Sequence, residues 1–173
     1  GEFVTFLIES IPERAMAARL GEPAHPLRRD PVDGISPVAI DGARAVWIEG
    51  RTRDRNNIYR RVELWTGELS PNLTLESATM VTALPRRTMA TPALGGGVVA
   101  IPLEDRGNGL AVVRLGSTDM RVLRAPPDLM IERLLWVAAD ELAVQIGPGT
   151  MAEAPSRVQR IPLAVLPGLP PGG

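Results

Sequence analysis

The chain has 173 residues, 45% of them hydrophobic, which is enough for a real core and excludes a wholly disordered polypeptide. Nineteen basic residues against twenty acidic ones leave a net charge of −1, with no electrostatic footprint for nucleic acid or an anionic membrane surface. Without cysteine there are no disulfides or thiolate zinc sites, and no apolar run approaches the roughly 20 residues of a membrane-spanning helix.

The start, Gly1-Glu2-Phe3 without Met, reads as a cloning remnant on a truncated chain; a removed signal peptide or a missing upstream domain both fit. Val4 to Ile8 is a short β-prone run. Ser10 precedes Glu13 by three residues, the spacing of a capping box, and Pro12 falls early in the first turn. Ile11, Ala15, Met16 and Leu20 form an apolar stripe ending at Gly21, so a short helix is predicted over about 11–20. Pro23, Pro26 and Pro31 then predict an extended linker, and residues 1–34 are read as an N-terminal strand, helix and linker.

From Ile35 the chain becomes β-rich. Two runs split by Asp41-Gly42 predict a hairpin, followed by the loop TRDRNN and the strand IYRRVELW. A turn is expected at Thr66-Gly67-Glu68, then a short outer strand LSPNLTLE. The same pattern returns around Gly95-Gly96 and, more worn, around Ala139-Asp140, with turn positions 54 and 45 residues apart. Four short strands per 40 to 50 residues is the signature of propeller blades. The prediction is an all-β domain over 35–166, built of about three β-propeller-like four-stranded antiparallel blades, with a Pro/Gly-rich tail at 167–173. Three blades fall short of the roughly four to eight that close a propeller, so Val4 to Ile8 adds a closing strand, another copy of the chain completes it, or the chain is a fragment. A plain β-sandwich or barrel is the alternative.

The residues ISPVAIDGARAVWIEGRTRDRNNIYRRVELWTGELSPNLT resemble the repeat of bacterial TolB-like and WD40-like propellers. The resemblance rests on Ser36-Pro37, Asp41-Gly42, Val46-Trp47, Ile58-Tyr59, Leu64, Thr66-Gly67-Glu68 and Leu73-Thr74. It covers about 40 residues and fades to Thr91-Pro92 and Val98-Val99, then to Leu135-Trp136. Glu63 stands where that repeat often has Asp. The likeness implies fold far better than activity.

Candidate chemistry is sparse. His25, the single histidine, has no cysteine or second histidine with which to share a metal, and there is no Gly-x-Ser-x-Gly elbow. No catalytic residue, metal or cofactor is assigned. LGGGVV (94–99) lacks the Lys-Ser/Thr of a phosphate loop and reads as a hairpin turn. EDRGNG and DRNN carry oxygen ligands without EF-hand spacing and read as solvated turns. Arg51, Arg53, Arg55, Arg60 and Arg61 gather around Tyr59, first a solvated loop and second a contact for an acidic protein surface. Trp47 and Trp136 are expected in the core and Trp65 partly exposed. Asn72-Leu73-Thr74 spells a glycosylation acceptor, relevant only to a secreted eukaryotic protein.

The function expected is a non-enzymatic protein-interaction or scaffold module of a bacterial cell envelope, periplasmic or envelope-associated, with a cytoplasmic setting left open. It would bind a protein partner through rim loops carrying Arg51, Arg53, Arg55, Asn57, Tyr59, Trp65, Glu104, Asp105 and Arg106. Neither nucleic acid nor membrane insertion is expected. The alternative is the non-catalytic propeller segment of a larger, prolyl-oligopeptidase-like hydrolase.

Overall fold

Alternating apolar residues and turn-forming pairs resolve into an all-β protein in a computed structural model. It describes residues 3–8, 13–28, 32–55, 58–84, 88–103, 109–117, 120–148 and 155–165. The strands are β1 (Phe3–Ile8), β2 (Arg14–Arg19), β3 (His25–Pro26), β4 (Gly34–Ile35), β5 (Ala39–Asp41), β6 (Arg44–Arg53), β7 (Tyr59–Leu69) and β8 (Leu75–Leu84). They continue with β9 (Ala93–Gly95), β10 (Val98–Leu103), β11 (Gly109–Arg114), β12 (Met120–Arg124), β13 (Met130–Val137), β14 (Glu141–Gly147) and β15 (Arg157–Pro162). A single 3-10 turn follows at Leu163–Val165. They form four antiparallel sheets, and none closes on itself among the described residues. The chain divides into two compact units, Gly1–Pro92 and Ala93–Gly173.

The first unit holds two sheets. β1, β2 and β3 lie in that order, and β6 carries β4 and β5 on one side and β7 then β8 on the other. The helix predicted over 11–20 is absent from its described part: Arg14–Arg19 pairs residue for residue with β1. Two signals misled. Glu13, apparently a capping residue, instead accepts a hydrogen bond from the Ile35 amide at 3.2 Å. The supposed stripe is not continuous either, since Leu20 is almost wholly exposed while Ala15 and Ala17 are buried. Ser10, Ile11 and Pro12 lie outside the described residues. The described part of the proline-rich stretch packs: Leu27 and Val32, with Ile35 and Val38, join Ala15, Ala17, Ala45, Trp47 and Leu73 in one core.

The Asp41-Gly42 hairpin forms as expected between β5 and β6, with Gly42 at φ 62°. Thr66-Gly67-Glu68 is not a turn. β7 runs through it with a bulge, and the chain reverses at Ser70–Thr74, where Leu73 has φ 56°. Gly67 serves close approach instead: a Cβ there would stand 2.7 Å from the Glu76 carbonyl oxygen and 3.1 Å from the Trp47 ring. The outer strand expected at LSPNLTLE accordingly starts later and is longer, as the ten residues of β8.

The second unit holds β12-β11-β10-β9 and β13-β14-β15. Gly96 and Gly97, at φ 56° and 76°, make the two-residue turn between β9 and β10, so LGGGVV is a hairpin. Its core is apolar throughout: Val98, Ala100, Leu110, Val112, Leu142, Val144, Ile146, Ile161 and Leu163. Val99, Ile101, Ala111, Val113 and Ala143 are buried as well, so the central strands are covered on both faces. Trp136, expected in the core, is exposed on bulged edge strand β13, with the Arg160 guanidinium 5.4 Å from its ring centroid. The bulges interrupt the alternation that would have turned it inward.

Candidate functional site

The densest polar arrangement lies on the β6–β7 hairpin, and its cause is a mirror in the sequence. WIEGR (47–51) on β6 faces RVELW (61–65) on β7, so antiparallel register sets Trp47 opposite Trp65, Glu49 opposite Glu63, and Arg51 opposite Arg61. Like charges directly opposite one another destabilise a strand pair. Here the rows offset each other. Arg51 donates from Nη2 to Glu49 Oε2 at 2.9 Å and brings Nε to 3.5 Å from Glu63 Oε2. Arg61 pairs with Glu63 through Nε. Trp47 Nε1–H donates to Glu49 at 2.8 Å, and Trp65 Nε1–H donates to Glu63 at 3.2 Å.

A third arginine enters from the proline-rich stretch. The Leu27 amide donates to the Ala15 carbonyl and the Leu27 carbonyl accepts from the Leu75 amide, which fixes the backbone beside Arg28. Its guanidinium pairs with Glu49 and stands 5.7 Å from the ring centroids of both Trp47 and Trp65. Glu49 is 0% and Glu63 2% exposed, so both charges are desolvated and depend on these partners.

A second cluster follows two residues along. Arg53 lies opposite Tyr59, pairs with Glu13 at 2.5 Å, and its guanidinium sits 4.6 Å from the Tyr59 ring centroid. The Tyr59 hydroxyl donates to Glu13 at 3.3 Å and accepts from Arg53. A Cβ at Gly50 would overlap the Tyr59 ring, so glycine there makes room for it. Burial raises the Tyr59 phenol above its ordinary value near 10; the hydrogen bond from Arg53 opposes this and the Glu13 charge reinforces it. Burial alone would lower Arg53, but hydrogen bonds and charge from Tyr59 and Glu13 outweigh it and leave the guanidinium raised.

Of the residues singled out from sequence, Arg51, Arg53, Tyr59 and Trp65 come together here on strands rather than in a rim loop. Arg55 is exposed in the turn beyond β6. Asn57, Glu104, Asp105 and Arg106 lie outside the described residues. Sequence reasoning missed Glu13, Arg28, Glu49 and Glu63. The mirror of WIEGR and RVELW was the available signal for the two carboxylates; nothing local marks Glu13 or Arg28. His25 donates from Nε2 to the Asn72 carbonyl at 2.9 Å. Among the described residues no group of three or more His, Cys, Asp or Glu side chains is placed to hold a metal ion. The hairpin clusters therefore act as an internal electrostatic clamp, their charges directed at one another.

Among the described residues of the first unit, β1 carries the longest run of exposed apolar side chains. Phe3 and Leu7 face the core, while Val4, Phe6 and Ile8 point outward, 62%, 38% and 42% exposed. β1 is also an edge strand, paired only with β2 among the described residues.

No protein-family model matches the chain, and a search of the curated proteins finds no match.

Proposed function

We propose that the chain is a non-enzymatic interaction or scaffold module of blade-like antiparallel sheets, and that it takes a protein partner on the outward face and free edge of β1. One observation carries this reading: Val4, Phe6 and Ile8 form an exposed apolar stripe, roughly 14 Å long at the usual strand rise, on a strand whose second edge is unpaired among the described residues. An open apolar edge is a liability in a free protein and a template for strand addition by a partner. Expected rim-loop contacts through Arg51 and Arg53 become secondary, because both guanidiniums are engaged with carboxylates.

Blade-like units are supported by the order of strands, each sheet being a run of chain neighbours, and by the motif residues in 35–74. The same likeness to TolB-like repeats supports a bacterial envelope setting, which fractionation of cells carrying the full gene tests directly. For the surface itself, Phe6→Arg with Ile8→Arg is compared with the parent chain in cross-linking against envelope extract, with partners identified by mass spectrometry. A defined partner lost in the variant, with the circular dichroism spectrum kept, is expected. An unchanged cross-linking profile would overturn the β1 surface. Sedimentation of the purified chain distinguishes a second copy from a foreign partner.

A further inference from the structure

The sheet edges of the molecule are not protected alike. Among the described residues, the edge strands β3, β4, β5 and β9 are only two or three residues long. β12 carries Arg121 and Arg124, and β15 carries Arg157, Arg160 and Pro162. β13 and β8 meet their neighbours through two register shifts each, and Ser77 on β8 has φ 51°. Short strands, arginine, proline and bulges are the devices that keep an edge from pairing with another chain. β1 has none of them. FVTFLI holds no charge and no proline, and its six residues pair with β2 without a shift.

β1 offers no charge by which to select a foreign strand. A strand that fits it is uncharged and unblocked, and among the described edges that description belongs to β1 itself. Directly opposite residues of an antiparallel pair share a face. A register centred on Phe6 therefore sets Phe6 against its counterpart, Val4 against Ile8 and Thr5 against Leu7. The exposed Val4, Phe6 and Ile8 then meet apolar side chains, and no like charges are opposed. We propose that β1 pairs antiparallel with β1 of a second copy of this chain, joining two β1-β2-β3 sheets into one six-stranded sheet. The pairing is isologous and leaves neither edge of β1 open, so it stops at two copies. Residues 4 to 8 of each strand make a small contact, so the dimer is reversible and depends on concentration. This inference rests on the reading of β1 as the interaction surface and names its partner.

The test is sedimentation equilibrium of the whole chain over a wide concentration range, expected to rise from 18.6 kDa to twice that mass and no further. Val4→Lys alters a 62% exposed side chain and should raise the half-dimer concentration at least tenfold, with the circular dichroism spectrum kept. Single cysteines placed in this cysteine-free chain read the register separately. Opposed Cα atoms of an antiparallel pair lie about 4.5–5.5 Å apart, within disulfide reach, so Phe6→Cys should form a covalent dimer in glutathione buffer. Ile8→Cys places the two sulfurs' residues four positions apart along the strands, roughly 13 Å, and should cross-link at least tenfold more slowly. The trap stays decisive if Val4→Lys misfolds. A mass of 18.6 kDa at every concentration overturns the dimer, while the β1 surface is then decided by the extract cross-linking. A dimer unmoved by Val4→Lys, equal trapping at both positions, or growth beyond two copies overturns the pairing.

Discussion

The two units solve one problem, the covering of a β-sheet, by opposite means. In Ala93–Gly173 the central strands are apolar on both faces, and the buried core contains only aliphatic side chains. In Gly1–Pro92 an equally buried sheet face carries Glu49 and Glu63, and the buried polar or charged residues among those described, Ser36, Glu49, Glu63 and Thr88, all belong to this unit. An aliphatic core tolerates exchange of one apolar side chain for another as long as volume and patterning are kept. A charged core does not, because each carboxylate must meet its own arginine and indole. The first unit thus gains a specified register and carries a greater risk from single substitutions.

That contrast can be broken most strongly at Glu49. Replacing it with Gln leaves Arg28 and Arg51 facing a neutral amide in a desolvated site, with an expected loss of about 3–5 kcal/mol in urea unfolding. A compensated variant, Arg28→Met with Glu49→Leu, should recover only part of that loss, since it replaces one buried ion pair by apolar groups but leaves the Trp47 indole N–H without its acceptor. If the double variant is no more stable than Glu49→Gln, the unmet charge of Arg28 is not a main source of the loss.

The matching test in the second unit is Leu142→Ala. Loss of a fully buried side chain there should cost about 2–5 kcal/mol through transfer and cavity terms. Added salt should leave that difference unchanged, because no charge is involved.

The smallest effect concerns Tyr59, the only tyrosine in the chain, whose ionisation is therefore visible alone by alkaline absorbance. Tyr59→Phe should cost about 1 kcal/mol, since Arg53 and Glu13 still pair without the hydroxyl. With the folded-state value raised above about 10, the contribution of the phenol is fully present below pH 10 and is lost as pH rises through the folded value. The parent should lose stability over that range and Tyr59→Phe should not. A midpoint at or below 10 in the folded protein would remove burial as the cause.

Much of the fold was legible because its signals are local. Asp41-Gly42 and Ala139-Asp140 mark chain reversals by backbone chemistry alone, the turn read at Gly95-Gly96 falls one residue later at Gly96-Gly97, and the apolar runs ARAVWI, GVVAIPL and ELAVQI supply largely buried strands. Thr66-Gly67 failed for the opposite reason. Its glycine answers to the Trp47 ring, some twenty residues earlier, rather than to the needs of a turn. Arg14–Arg19 failed likewise, because six backbone pairs with β1 outweigh a weak helical stripe.

For this protein, then, composition and turn residues determined an all-β chain of hairpins with apolar central strands. Tertiary structure decided the rest: which strand covers Ala15 and Ala17, where the chain turns after β7, and that Arg51 and Arg61 serve buried carboxylates. A hairpin is encoded within a dozen residues, whereas a buried charge is satisfied by whatever the fold brings to it. Glu13 with Arg53 and Arg28 with Glu49 are far apart in sequence, and only the folded chain makes them partners.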